Sequence, residues 1–575
     1  MTGAHADIPD PGSDMDDDEA LRYAIALSLR EHEPEDSPAE HNPSRSSSPK
    51  RSEPRSGGAT LGLFALDRKK MEEERLQRLA KRRRSASDDD VVEIPPPKRK
   101  TPSEPPKPRS LPPFANGTVK KTWARGYPRT SDDIKIEEIL QKDKLMLAVL
   151  SSYQWDDEWI VSKVDLRRTK LLLLAFASDE AQKTAMRSNA PPGIKFCFPA
   201  MNGPGSMHSK LQLLKYPDYL RVAVPTGNLV PYDWGESGVM ENMVFLIDLP
   251  RLTNAADHQP TMFSIELTRF LEATGVDKNM TSSLANYDFS RTKHLRFVYT
   301  IPGGHLDESQ KRIGYCGLGA SVASLGLATK DSVEVDLVCA SLGAINYDLV
   351  GAMYNACRGD DGMTEYNSRL SRATKAKAPS SVQQFKDHFR IYFPTDETVA
   401  QSRGGRTAAG TICVQAKWWR APTFPTELVR DCVNTRDGLL MHSKMIFVRK
   451  NQTRGDQLSS TGVETQTEAT EAGADSDPGK SSLGWAYVGS ANLSESAWGR
   501  LVRDRATGKP KMSCRNWECG VVIRVPGGSK AQAQAGGPRH DVSNMGIFEG
   551  MIPVPMRFPG RRYRETEEPW FYAQV

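Results

Sequence analysis

Met207-His208-Ser209-Lys210-Leu211-Gln212-Leu213-Leu214 and Met441-His442-Ser443-Lys444-Met445-Ile446-Phe447-Val448 are one phrase written twice, more than two hundred residues apart. A second echo follows each copy. Thr226-Gly227-Asn228-Leu229 matches Ser490-Ala491-Asn492-Leu493, and six residues beyond each Asn stands a Trp-Gly pair, Trp234-Gly235 and Trp498-Gly499. Twenty residues separate His208 from Asn228, and fifty separate His442 from Asn492. Asn451 to Ser482 is rich in Thr, Ser, Glu and Gly with almost no apolar residues, and it reads as a disordered surface insertion. Without those thirty-two residues the second spacing shortens to eighteen and the repeat realigns.

Outward from the repeat, apolar runs of strand length appear at Lys170 to Phe176, Ile194 to Phe198, Leu220 to Val224, Val244 to Leu249, Leu295 to Tyr299 and Val333 to Val338. Helical patterns lie between them, at Ile134, Ile139 and Leu140 and over Phe263 to Leu271. Continuous apolar strands alternating with helices predict an α/β fold: two pseudo-symmetric domains, each a mixed β-sheet flanked by helices. Pro302-Gly303-Gly304 is a turn-rich break, placing the first domain at 120–305 and the second at 306–575, with the insertion at 451–482. Residues 1–115 are poor in aromatics and rich in Ser, Pro and charge, so they read as a disordered regulatory tail.

On an expected strand, His208, Lys210 and Gln212 alternate and share a face, as do His442 and Lys444. Asn228 and Asn492 follow apolar strands, where loop side chains turn towards a strand-end cleft. Two facing halves bring two His, two Lys and two Asn to one point, an inventory that suits phosphoryl chemistry. A neutral imidazole attacks phosphorus and forms a covalent phosphohistidine. A second imidazole protonates the leaving oxygen and then deprotonates water. The ammonium and amide groups stabilise the non-bridging oxygens. No metal or other cofactor is expected, because no carboxylate cluster stands ready to hold one. The Trp-Gly pairs read as packing and turn elements.

Composition narrows the classes further. Lys plus Arg exceed Asp plus Glu by 77 to 72, a net charge of +5, so local clusters matter more than the total. The eight cysteines (197, 316, 339, 357, 413, 432, 514, 519) contain no C-x-x-C pair and read as buried free thiols in a reducing compartment. No apolar run approaches the ~18 residues of a membrane span, and the N-terminus has no apolar secretory core. A soluble intracellular monomer without membrane contact is expected.

With these residues in view, the chain resembles the phospholipase D superfamily. Most members continue His-x-Lys with four residues and an Asp, but Lys215 and Arg449 stand there in this chain. The His-x-Lys…Asn form, with Ser490-Ala491-Asn492-Leu493-Ser494 and Ala497-Trp498-Gly499, resembles the tyrosyl-DNA phosphodiesterase family, of the fungal type, over about residues 120 to 575. The resemblance implies two phospholipase D-like domains and a nuclear repair enzyme. Its substrate would be the bond between a type IB topoisomerase tyrosine and a DNA 3′ phosphate, in single-stranded or nicked DNA, together with other blocked 3′ ends. It further implies that His208 is the nucleophile, that His442 is the general acid and then base, and that Lys210, Lys444, Asn228 and Asn492 bind phosphate. Glu518, in Asn516-Trp517-Glu518-Cys519, resembles the family glutamate that orients a histidine. The family glutamine after the first Asn has no evident counterpart: Val239 falls near its place, and Glu241 or Asn242 are the candidates to replace it. Ser341 matches a DNA-backbone contact. Tyr153 is either a DNA-stacking ring or a core aromatic.

The tail carries three motifs. Leu21, Ala24, Ile25 and Ser28 make one helical stripe behind Asp16-Asp17-Asp18-Glu19, resembling a ubiquitin-interacting motif over 16–33; an ordinary amphipathic helix docking on the enzyme is the alternative. Lys81-Arg82-Arg83-Arg84 and Lys98-Arg99-Lys100 have bipartite nuclear-import spacing over 81–100, against a solvated basic face or a DNA tether. Asp88 to Ile94 resembles a SUMO-interacting strand. The expected partners are therefore DNA with blocked 3′ ends, a topoisomerase-derived peptide, ubiquitin and SUMO. Rival readings are a lipid-cleaving relative, a single-strand DNA 3′ nuclease, and a non-catalytic ubiquitin-reading DNA adaptor.

Overall fold

Each apolar run forms a strand, and the strands assemble into two sheets of matching order. The computed structural model describes residues 111–374, 385–450, 482–526 and 545–571. In the first sheet, Thr118–Thr122, Met243–Pro250, Tyr219–Pro225, Gln212–Lys215, Leu147–Ser151, Lys170–Leu174 and Ile194–Cys197 lie side by side, with the short strand Asp133–Ile134 on the outer edge. In the second the order is Leu295–Thr300, Glu518–Pro526, Ser482–Gly489, Met445–Lys450, Val333–Val338, Phe389–Phe393 and Val429–Asp431. The pairing senses match as well. Apart from the parallel edge strand Asp133–Ile134, both sheets begin with four antiparallel pairings and end with two parallel ones. The duplication read from two short motifs thus extends over seven strands.

Three boundary expectations need correction. Leu295–Thr300 precedes the Pro302 turn, yet it pairs with Glu518–Pro526 in the second sheet, just as Thr118–Thr122 pairs with Met243–Pro250 in the first. By sheet membership the second half begins ahead of Leu295, not at 306. Ile134 lies in a strand, because the helix starts only after the extended N-cap Lys135 and runs over Ile136–Leu140. Ser482, counted with the insertion, opens a strand. The tail motifs at 16–33, 81–100 and 88–94 and the insertion at 451–481 lie outside the described residues.

Helix Met262–Thr274 packs against the first strand of the second sheet. Phe263 and Phe270 meet Phe297 edge-on, and Phe270 meets Trp517 the same way at 5.7 Å between ring centroids. That wall fixes the strand start that carries Glu518. Strands Ser482–Gly489 and Glu518–Pro526 approach Tyr219–Pro225 and Met243–Pro250, so the two sheets meet along their central strands. One continuous apolar core crosses that junction, and a second fills the outer face of the first sheet. All eight cysteines are free thiols, and seven are buried.

Each sheet also buries an arginine–aspartate pair. Arg221 and Asp248, both fully buried, join through two bonds of 2.7 and 2.9 Å, and Arg221 also donates to the carbonyls of Glu138 and Ile139. In the second sheet Asp336 receives Arg390 at 2.6 Å and Arg449 at 2.5 Å. Removing one partner of such a pair strands a buried charge. Arg221→Ala should therefore lower unfolding stability by about 3–5 kcal/mol in urea melts. Replacing Arg221 and Asp248 together with Met and Leu should cost much less.

Candidate active site

The two His-x-Lys segments sit where the halves exchange backbone pairing, not within their own strands. Regular strand begins only at Gln212 in the first copy and at Met445 in the second, which corrects the expectation of strand from Met207 onward. Met207 bridges Trp517, and His208 N–H donates to the Trp517 carbonyl at 3.0 Å. In the mirrored place Met441 pairs with Glu241, and His442 N–H donates to the Glu241 carbonyl at 3.1 Å. Each histidine is thus hung by its backbone from the opposite half.

The side chains cross in the same way. His208 Nδ1 lies 2.8 Å from Glu518 Oε2, and His442 Nδ1 lies 3.1 Å from both carboxylate oxygens of Asp233. Glu518 is held in turn by Ser490 and Asn516. Lys210 Nζ donates to the His208 carbonyl at 2.8 Å, and Lys444 Nζ to the His442 carbonyl at 2.7 Å. Lys444 also reaches the Thr226 carbonyl of the first half at 3.1 Å.

The asparagines follow Tyr219–Pro225 and Ser482–Gly489 and are oriented by the loops after Leu147–Ser151 and Val333–Val338. Asn228 Oδ1 accepts from Gln154 N–H at 3.4 Å, and Asn492 Oδ1 accepts from Ala340 and Ser341 N–H at 3.3 and 3.1 Å. These bonds fix which end of each carboxamide faces its own half's backbone. Ser341, half-buried, therefore adjoins Asn492. Tyr153, also half-buried, sets its ring 5.3 Å from the His208 imidazole. The Trp-Gly pairs are packing and turn elements: Trp234 is buried and donates to the Asn228 carbonyl at 2.9 Å, and Gly235 takes a left-handed φ of 74°.

Asp233 is the residue that the sequence reading missed. Of the candidates for the place after Asn228, Glu241 pairs with Arg436, and Asn242 bonds Thr226 and Asp233. Val239 is a half-buried apolar residue packed against the core. None of the three supplies the side-chain contact to His442 Nδ1, which Asp233 makes. Asn242 occupies the position that Glu518 holds in the other half, since Thr226 bonds it as Ser490 bonds Glu518. One sequence signal was available. Gly227 replaces the Ala491 of the second copy, and a Cβ there would meet the Asn242 side chain at 2.7 Å and Asp233 Cβ at 3.0 Å.

Burial governs the charge states. It pushes both histidines down to about 4, against the pull of Glu518 on His208 and of Asp233 on His442. Burial also brings Lys210 down to about 8, and it puts Lys444 well below its ordinary value with help from the neighbouring Lys210. Burial would raise Asp233, but His442, Lys444 and the Asn228 N–H outweigh it and hold this carboxylate below its usual range. The result is a buried site with two neutral imidazoles and two lysines, each disfavouring a charge on the other.

Two mirrored α/β sheets that pool His, Lys and Asn from both halves are the arrangement that the resemblance to the phospholipase D class implies. Within that class, the tyrosyl-DNA phosphodiesterase family profile matches residues 118–564, and the chain belongs to that family. Tyrosyl-DNA phosphodiesterase 1 of Arabidopsis thaliana is 21% identical over 423 residues, 69% of this chain and 60% of that protein. The chain thus spans about three-fifths of that relative's length. Yeast tyrosyl-DNA phosphodiesterase superposes with a TM-score of 0.54 at 15% identity, covering 80% of this chain and 100% of the other. A histidine-to-asparagine mutant of the yeast protein gives 0.52 at 16%, covering 79% and 100%. These likenesses carry the fold.

The depressed histidines link stability to pH. Above about pH 6.5 folded and unfolded chains both hold neutral imidazoles, so stability is fully present. As pH falls from 6.5 through about 4, the unfolded chain takes up protons that the folded site refuses. Stability should therefore drop across that window by roughly 2–3 kcal/mol per histidine. His442→Ala should flatten the decline, as read from melts at stepped pH.

Proposed function

We propose that this chain hydrolyses the phosphodiester between a tyrosine and a DNA 3′ end, in two steps through a phosphohistidine. The observation that carries the reading is the crossed arrangement: two buried imidazoles, each held at Nδ1 by a carboxylate of the opposite half, beside two lysines. Fixing Nδ1 leaves each Nε2 for chemistry.

A phosphodiester lodged between Lys210 and Lys444 supplies the negative charge that the two ammonium groups lack, and the Asn228 and Asn492 amides add donors. That charge also lifts the His442 imidazole towards its protonated state. His208 Nε2 attacks phosphorus as the bond to the tyrosyl oxygen breaks, and His442 gives that oxygen its proton. Neutral His442 then takes a proton from water, which attacks phosphorus and displaces His208, leaving a 3′ phosphate. The family resemblance assigns attack to His208 rather than His442. On this reading Ser341, beside Asn492, and Tyr153, beside His208, meet the DNA strand. Nuclear import through 81–100 and ubiquitin or SUMO contacts through 16–33 and 88–94 belong to the same proposal on sequence alone.

A 3′-phosphotyrosyl oligonucleotide incubated with the full chain in EDTA tests the reading. Tyrosine release is expected; none from the wild type would sink it and would favour the adaptor or the lipid-cleaving alternative. His208→Ala should form no covalent adduct and lose on the order of 10²–10⁴-fold in rate or more. His442→Ala should let a DNA-linked protein band accumulate on denaturing gels. An adduct mapped to residue 442 would reverse the two roles.

A further inference from the structure

We propose that Asp233 is the positioning residue that sets the acid strength of His442, an inference resting on the assignment of His442 as the proton donor. The geometry is specific. Asp233 is fully buried, and its two oxygens share the His442 Nδ1 contact at 3.1 Å. Its remaining capacity is taken by Asn228 N–H at 2.6 Å and Asn242 Nδ2 at 3.1 Å, so the carboxylate cannot turn away. It stands in the short turn Tyr232–Trp234, which Gly235 closes in the left-handed region and Trp234 pins to Asn228.

This device breaks the internal symmetry. Five residues past the second Asn stands Ala497, which can bond nothing with its side chain. The second half instead carries its carboxylate on Glu518, at the strand start where the first half has the neutral Asn242. The charge that faces His442 has therefore been moved from strand to turn, and Gly227 makes the room for it. Asn242 alone would offer His442 an uncharged neighbourhood.

The charge matters because of what else surrounds His442. Lys444 and Lys210 both oppose its protonation, burial opposes it more strongly, and Asp233 is the carboxylate in contact with it; Glu518 stands on His208 across the site. When the P–O bond to tyrosine breaks and the P–N bond to His208 forms, the proton on His442 Nε2 passes to the tyrosyl oxygen. Asp233 keeps its own charge throughout and holds Nδ1–H. Without that charge the imidazolium loses its counter-ion, and the proton is missing when a poor leaving group needs it.

The leaving group supplies the test. The full chain and Asp233→Asn are compared in single turnover on one oligonucleotide carrying either a 3′-phosphotyrosine or a 3′-(4-nitrophenyl) phosphate, whose leaving oxygen departs without a proton. Asp233→Asn should slow tyrosine release on the order of 100-fold and nitrophenol release less than about tenfold. The alkaline limb of the tyrosine rate should move to lower pH while the acid limb, set by His208, stays in place. Asp233→Glu, which retains the charge, should keep the alkaline limb nearer the wild type. Equal losses on both substrates with an unmoved limb would overturn the proposal and leave Asp233 as a turn anchor. If Asp233→Asn fails to fold, Asp233→Ser replaces it in the same two-substrate comparison, and the same two outcomes decide. Wild type inactive on both substrates would instead remove the proposed function.

Discussion

The backbone exchange between the halves is the constraint on which the site depends. His208 N–H bonds the Trp517 carbonyl and His442 N–H bonds the Glu241 carbonyl, so each histidine takes its position from the other half's sheet. These bonds draw the His-x-Lys segments out of their own strands and aim them across the junction. Trp517, wedged against Phe270, then carries Glu518 to His208 in one residue. The sheets meet along their central strands, and that contact makes the crossing possible. The apolar core and the site are thus two consequences of one packing arrangement.

The electrostatics follow from the same closure. A junction buried enough to exclude water disfavours every isolated charge, so the imidazoles are neutral and the lysines are held below their ordinary values. Such a site is poorly suited to itself and well suited to an anion. On the proposed reading, the binding energy of a phosphodiester there would include relief of the Lys210–Lys444 repulsion, and the same negative charge would prepare His442 to give up a proton. Selectivity for phosphate and readiness for proton transfer share one physical source.

Much of this was legible in the chain, because duplicated residues leave a trace that single ones do not. The paired His, Lys and Asn, the strands beside them and the excess length before Asn492 were readable from spacing, and Glu518 from its local motif. The reading failed where the halves differ. Asp233 has Ala497 opposite it, so a search for matched residues passes over it. The strand Leu295–Thr300 lies ahead of the strongest turn signal, and only its pairing with Glu518–Pro526 reveals its allegiance. The segment from Met207 to Leu211 has strand-like residues, yet its extended backbone is recruited by a partner three hundred residues away, a contact that local propensity cannot express.

That separation has a consequence for how the protein comes into being. His208 and the carboxylate that orients it are 310 residues apart, and Glu518 opens a strand near the end of the chain. During synthesis the first sheet has nearly all its strands long before that carboxylate leaves the ribosome. A chain that stops short of Glu518 therefore carries the His208 imidazole without the carboxylate that orients it. The order of synthesis thus makes the orientation of His208 wait for the second sheet.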